Sequence, residues 1–589
     1  MIESLGKELG VFTLLDWIII AGYFLISLGI GICFTRRAGR SLSEYFVSGR
    51  NLPWWIIGTS MVATTFAADT PLVITGWIRT DGIWKNWFWW NFLFIHVFIV
   101  FVFARLWRRA EVITDNELIE IRYGGRPAAF LRAFKALYFS TVFNFLVMGW
   151  VTSAMAKILK VFFGFETAFA VLVCIVIAFG YTILSGLWGV VLTDFLQYFI
   201  ALLGTVLLAC VVLSSSDVGG YSGFINRLGS IQEHLSFFVT RWSGSSGEGF
   251  FSSDLFAFLV YVLVIWWSSH NADGGGYFIQ RISSAKNERH AILGMAWFSL
   301  NHYVIRCWPW IIVALFSLMV YPSADRTNGD QEAMYVVVIK DYLGAGLKGL
   351  LFVSFLAAFM STLTTQLNWG ASYLVNDIYR RFIKNNADEK HYVVVSRFFT
   401  LALAIFAGYL AFHIKNIGKA WIFLWAMSAG LGSVLILRWF WWRINAWSEI
   451  VALGSSVLFA LCLVIYSVSR GVGIELKHQV IVIPLSMACW LTATFLTPPE
   501  SEKTLVNFYK KVRPWGWWNP VREKLPELKA APFLPVILNW FFGVGFLAFS
   551  MMGIGKLILG FFVVGLGMVF LSLCFGALIL LNIKREGFW

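Results

Sequence analysis

Apolar residues run along this chain in long stretches, and only short polar segments separate them. A scan for runs of spanning length, roughly 20 residues each, finds about fifteen. Their limits are 14–34, 53–78, 87–107, 136–163, 167–184, 191–213, 254–269, 291–320, 347–374, 392–412, 421–439, 446–468, 479–496, 533–552 and 557–581. In lipid, a stretch of this length satisfies its backbone only as a helix. The expectation is therefore an all-α polytopic membrane protein with about fifteen transmembrane helices. Lys and Arg concentrate in alternate loops, around Arg36, Arg108, Arg281, Arg380, Arg443, Lys510 and the C-terminus. The positive-inside tendency makes those loops cytoplasmic. The N-terminus is then outside and, with an odd number of spans, the C-terminus cytoplasmic. The first run lacks a basic leader and a small-residue cleavage site, so it is expected to be a helix and not a signal peptide.

Composition agrees. Of 589 residues, 59% are hydrophobic and only 13% charged, about half the charged share of a soluble domain. The net charge is +14, but the basic residues sit in short loops, where an anionic leaflet explains them better than nucleic acid. The seven cysteines lie in apolar runs with no C-x-x-C pair, so no disulfide framework or zinc site is expected. Neither a P-loop nor H-E-x-x-H occurs, which removes the usual ATP-driven and zinc-protease readings. A transporter driven by an ion gradient remains, with a membrane sensor of the same build as the rival class; an enzyme lacks a nucleophile motif. The segment 498–532, with Lys510, Lys511, Arg513, Trp515, Trp517 and Trp518, is expected to lie on the inner leaflet.

Charged groups inside a bilayer are costly, so the few present are functional candidates. They are Asp69, Asp194, Asp273 and Arg306, with His302 nearby. Helical continuity also fails twice. The second span leads through Ala63-Thr64-Thr65-Phe66-Ala67-Ala68-Asp69-Thr70 to Pro71, and a mid-membrane proline frees carbonyls one turn earlier. The seventh span ends in Asn271-Ala272-Asp273-Gly274-Gly275-Gly276-Tyr277, and three consecutive glycines do not hold a stable helix. The two breaks lie five helices apart, as expected of an inverted five-plus-five repeat with its site at the breaks. In the ninth span Ser361, Thr364, Thr365 and Asn368 share a face, with Thr362 beside them. Hydroxyls and freed carbonyls together suit a small alkali cation.

Several ordered motifs carry a family resemblance. They are Tyr45-Phe46-Val47-Ser48-Gly49-Arg50-Asn51-Leu52-Pro53-Trp54-Trp55, Ser185-Gly186-Leu187-Trp188-Gly189-Val190-Val191-Leu192-Thr193-Asp194 with Gln197, Gln280-Arg281 with Ala285-Lys286, and Ala357-Ala358-Phe359-Met360-Ser361-Thr362 continuing to Asn376-Asp377-Ile378-Tyr379. With these the chain resembles the sodium/solute symporter family of sodium/glucose and sodium/proline cotransporters. The resemblance implies a Na+ site built from the carbonyls of Ala63, Phe66 and Ala358 and the hydroxyls of Ser361 and Thr362. It implies a second cation site drawing on Asp194, Ser361, Thr364 and Thr365. The corresponding division is 1–52 extra helix and loop, 53–213 first repeat, 214–253 extracellular loop, 254–439 second repeat, 440–497 two peripheral helices, 498–532 linker, and 533–589 two C-terminal helices with a short tail.

The function expected is secondary active import of a small polar solute by sodium symport and alternating access across the plasma membrane, with an amino-acid or carboxylate solute as the alternative. A neutral sugar or polyol is favoured by the aromatic residues near the breaks, Trp54, Trp77, Trp89, Trp90, Trp267 and Tyr277. By similarity to a sugar-transporting relative, Thr65, Asp69 and Thr70 contact the solute. Trp89 stands where an acidic sugar contact is expected, with Asn91 nearby. Asn271, Asp273, Tyr277, His302 and Arg306 complete the expected set, and Asp273 is expected to pair with Arg306 directly or through the solute.

Overall fold

The computed structural model describes residues 12–38, 41–239, 250–414, 417–470, 476–528 and 531–586. Residues 1–11, 240–249 of the long loop, 529–530 of the linker, 587–589 of the tail and the Ser185 side chain lie outside what is described. All described elements are helical apart from two isolated bridges. Among the described residues, ten helices are long and apolar enough to cross a membrane, or eleven when a pair bent by 55° is one span. Four further expected spans coincide with shorter apolar helices, Thr167–Val176, Asp254–Ser268, Leu431–Phe440 and Val480–Leu496. Among the described residues the expected count of about fifteen full-length spans is not confirmed. Two shortfalls have evident causes: the chain leaves helical geometry after Ser268, and a turn at 428–430 interrupts the eleventh stretch.

Helix α1 (Leu14–Ala38) precedes the bent pair α2 (Trp54–Thr65) and α3 (Asp69–Thr80). After α4 (Asn144–Phe163) comes one helical run of 47 residues, α5 (Thr167–Leu213). A straight helix of that length extends roughly 70 Å. However, Phe165, just before it, stacks on Phe163, which packs on Phe352, while Gly204 within it approaches Leu351 and Ser354. The residues leading into the run and its later part thus lie beside one neighbouring segment, too close together for one straight helix, so the run doubles back.

The second group comprises α6 (Gly276–Ser284), α7 (Glu288–Leu300), α8 (Cys307–Val320) and α9 (Leu347–Ser372), followed by α10 (Leu431–Phe440). The α9 span is 94% buried and is the axis of the bundle, whereas the last helix, α11 (Phe562–Glu586), is 11% buried and faces outward. Leu52, before α2, and Ala285, after α6, form a parallel bridge. In it the Leu52 amide donates to Ser284 O at 3.0 Å and the Lys286 amide to Leu52 O at 3.1 Å. The bridge ties the two broken spans together at the end that carries the basic loops.

The linker differs from the expectation. Only Trp517 of its tryptophan cluster is strongly exposed; Trp515 and Trp518 are buried. Trp518 Nε1 donates to Trp439 O at 2.8 Å, and its ring lies 4.9 Å from the buried Arg122 guanidinium. The aromatic residues dock the segment onto the bundle, Trp518 on the buried Arg122 guanidinium and Trp515 against Phe533.

Candidate functional site

The first break is set by backbone geometry at Phe66 (φ −90°, ψ 63°), whose amide turns back to Ala63 O at 3.0 Å. Pro71 is the third residue of α3, within the first turn, where its missing N–H is one of the unpaired donors anyway. At the second break Gly275 and Gly276 have φ of +59° and +43°. A Cβ on Gly275 would lie 2.4 Å from Asn271 Oδ1, and one on Gly276 would lie 2.8 Å from the Trp369 ring. Only glycine supplies both the left-handed backbone and this approach.

Alpha helix α9 faces the first break with its hydroxyls. Thr362 Oγ1 donates to Thr64 O at 2.8 Å and lies 3.1 Å from Ala358 O. Ser361 Oγ donates to Asp194 Oδ1 at 2.5 Å. A hydroxyl has one proton and two lone pairs, so both oxygens keep lone pairs for a cation while their protons are held elsewhere. Ala63, Phe66, Ala358, Ser361 and Thr362, the set implied for the first sodium, belong to these two facing segments.

The second implied cation set has a different organisation. Arg281, counted above among loop charges, is fully buried in α6, with Nη2 3.4 Å from Asp194 Oδ2 and 2.7 Å from Thr365 Oγ1. Its Nε donates to Ser60 Oγ at 3.2 Å, and Ser60 Oγ donates to Asp194 Oδ2 at 2.5 Å. Asp194, Ser361 and Thr365 thus join one network whose positive charge is a guanidinium. Thr364 bonds back to Ser361 O at 3.2 Å, the ordinary behaviour of a hydroxyl inside a helix.

Between the breaks lies a cavity of about 220 Å³ lined by Thr65, Asp69, Thr70, Asn271, Asp273, Tyr277, His302 and Arg306, together with Thr64 and Thr362 from the ion region. Asn91 is the exception among the expected solute contacts. Its Nδ2 donates to Trp87 O at 3.1 Å and Phe88 O at 2.8 Å, and the residue does not line the cavity. One helical turn supplies its acceptors, which holds it against its own backbone. Of the expected aromatic residues only Trp89 and Tyr277 line the cavity; the other tryptophans there are Trp150, Trp369 and Trp421.

The direct Asp273–Arg306 pair is not formed. Asp273 Oδ2 accepts from Arg438 Nη2 at 2.5 Å and from Trp439 Nε1 at 2.8 Å, and Arg438 also meets Glu449 at 3.1 Å. Arg438 lies at the end of an apolar stretch, and only packing reveals it. Arg306 follows a π-helical turn at Asn301–Ile305, in which its amide reaches Asn301 O at 3.2 Å. Its Nη2 donates to His302 Nδ1 at 2.5 Å and its Nη1 to Val62 O at 3.0 Å. Asp69 Oδ2 accepts from Trp421 Nε1 at 2.9 Å.

A model of the sodium:solute symporter family matches residues 45–453. The chain is 23% identical over 478 residues to the sodium/glucose cotransporter of Vibrio parahaemolyticus, covering 77% of this chain and 85% of that protein. It is 25% identical over 470 residues to sodium/glucose cotransporter 1 of Oryctolagus cuniculus, covering 73% and 69%, and 23% identical over 477 residues to a sodium/mannose cotransporter of Bos taurus, covering 75% and 76%. The fold is similar to that of a substrate-bound, outward-open Na+-coupled sialic acid symporter, with a TM-score of 0.67 at 18% identity, covering 83% of this chain and 99% of that one.

Proposed function

Because the chain belongs to the sodium:solute symporter family, whose members are sodium-coupled transporters and not enzymes, we propose that it imports a hydroxyl-rich solute built on a sugar or polyol skeleton. The observation that carries this reading is the junction of Thr362 with the freed Thr64 carbonyl at 2.8 Å, on the wall of the solute cavity. Sodium seated between α9 and the α2–α3 break steadies that wall, so ion and solute favour the same conformation. Coupling requires this difference, since equal affinity for both conformations shifts nothing.

The sugar skeleton is supported by the relatives, which are glucose and mannose cotransporters, and by a cavity that mixes aromatic faces with hydroxyl and carboxylate groups. One sodium per cycle is the stoichiometry we favour. Arg281 already compensates Asp194, and a second sodium there must displace a guanidinium from a fully buried ion pair. The test is uptake by proteoliposomes under an imposed sodium gradient against a panel of sugars, polyols and sugar acids, with the sodium-to-solute flux ratio measured in parallel. Sodium-driven uptake of a carbohydrate at a ratio of one is expected. Uptake unaffected by sodium rejects symport, and a ratio of two rejects the role given to Arg281.

A further inference from the structure

Resting on the symport reading above, we propose that the transported solute carries a carboxylate received by Arg306, which makes it a sugar acid and not a neutral sugar. Arg306 is 1% exposed, lines the cavity, and has no carboxylate within ion-pair distance among the described residues. Other buried arginines are neutralised: Arg132 by Asp377 at 2.7 Å, Arg281 by Asp194 and Arg438 by Asp273. Two that lack a carboxylate are supplied by oxygen acceptors instead. Arg79 reaches Gln331, Ser317 and the carbonyls of Tyr321, Pro322 and Ser323, and Arg122 reaches the carbonyls of Arg438, Trp441 and Trp442, with its Nη1 left without a partner. Neither lines the cavity. Arg306 has one carbonyl and one imidazole for five N–H donors, and its Nε has no partner. A buried cation with spare donors beside a cavity is suited to an anion, and a carboxylate matches the guanidinium fork.

The remaining wall argues for hydroxyls on the same molecule. Three further buried polar atoms without a partner belong to cavity residues: Asp69 Oδ1, Gln366 Oε1 and Trp369 Nε1. They are two acceptors and one donor, on α3 and α9. A hydroxyl both donates and accepts, so a polyhydroxylated chain can serve all three, whereas an ammonium only donates and leaves Trp369 Nε1 without an acceptor. Leaving such groups unpaired in a buried site is costly, and this cost favours the solute that meets all of them.

The experiment compares matched pairs, galactose with galacturonate and glucose with glucuronate, in sodium-driven uptake by wild type, Arg306→Gln and Arg306→Lys. Wild type should take up a uronate with about tenfold or greater preference over its hexose. Arg306→Gln should abolish that preference and Arg306→Lys should retain part of it. Should the Gln variant fail to fold, sodium-dependent thermal stabilisation of the wild type by uronates, and not by hexoses, still tests the assignment. Efficient hexose uptake that uronates do not inhibit overturns the carboxylate proposal and leaves the carbohydrate symport reading intact. Sodium-driven uptake restricted to amino acids, or no carbohydrate uptake at all, overturns both.

Discussion

At the scale of single residues, Asp194 and Arg281 are mutually dependent. Both are fully buried 3.4 Å apart, and removing one partner of a buried pair leaves an uncompensated charge. Asp194→Asn is expected to destabilise the protein by about 3–5 kcal/mol, and adding Arg281→Gln should recover part of the loss; thermal unfolding of the two single variants and the double variant measures this. A second prediction concerns Thr362. Thr362→Ala removes a lone-pair donor from the cation region and the proton held by Thr64 O. The half-saturating sodium concentration should rise about tenfold, equivalent to roughly 1.4 kcal/mol; an unchanged sodium dependence of uptake would reject the ligand role. Asp69 and Arg306 were legible in the sequence because a charge within an apolar run stands out. Arg281 was not, since Ser283, Ser284, Ala285 and Lys286 beyond it read as a loop. Only the inward course of α6 brings it to Ser60 and Asp194. Asn91 misled for the opposite reason: a buried amide in an apolar run can be satisfied by the turn preceding it.

At the scale of elements, proline and triple glycine both announced broken helices, but with different physical meanings. Pro71 sits in the first turn of α3, so Pro71→Ala should leave solute uptake close to wild type. Gly276→Ala should not. It places a side chain at φ +43°, against the Trp369 ring. Left-handed backbone alone costs a non-glycine residue about 1–2 kcal/mol, and relief of the collision must move Trp369, a cavity residue. A markedly raised half-saturating solute concentration with retained folding is expected. Wild-type uptake kinetics in Gly276→Ala would show that the tight approach is not needed. Hydrophobic length was a good guide to where helices occur and a weaker guide to whether each spans, because apolarity does not report interruptions such as the turn at 428–430. The linker shows the same limit: its composition suits a membrane surface, yet Arg122 provides a partner within the protein.

At the scale of the whole molecule, a charged cluster joins the second break to helices outside it. Asp273 pairs with Arg438 on α10, Arg438 with Glu449, and Glu449 with Lys135 at 3.5 Å and with Tyr123 Oη at 2.7 Å. Asp273, Arg438 and Lys135 line the cavity, so the cluster closes part of its wall. Alternating access requires such contacts to exist in one conformation and to open in the other, and every 1.4 kcal/mol lost from one state changes the ratio of states about tenfold. Asp273→Asn is the informative substitution because Arg438 keeps Glu449 at 3.1 Å and no buried cation is stranded. It should weaken the hold on the break without unfolding the bundle. A cysteine in place of the cavity residue Leu435, in a background without the native cysteines, then reports the balance. In the absence of sodium, an impermeant thiol reagent applied from the side of the basic loops should label it faster in Asp273→Asn than in its parent, and added sodium should restore slow labelling. Equal labelling rates with and without the substitution would mean that the cluster braces the fold and does not bias the transport cycle.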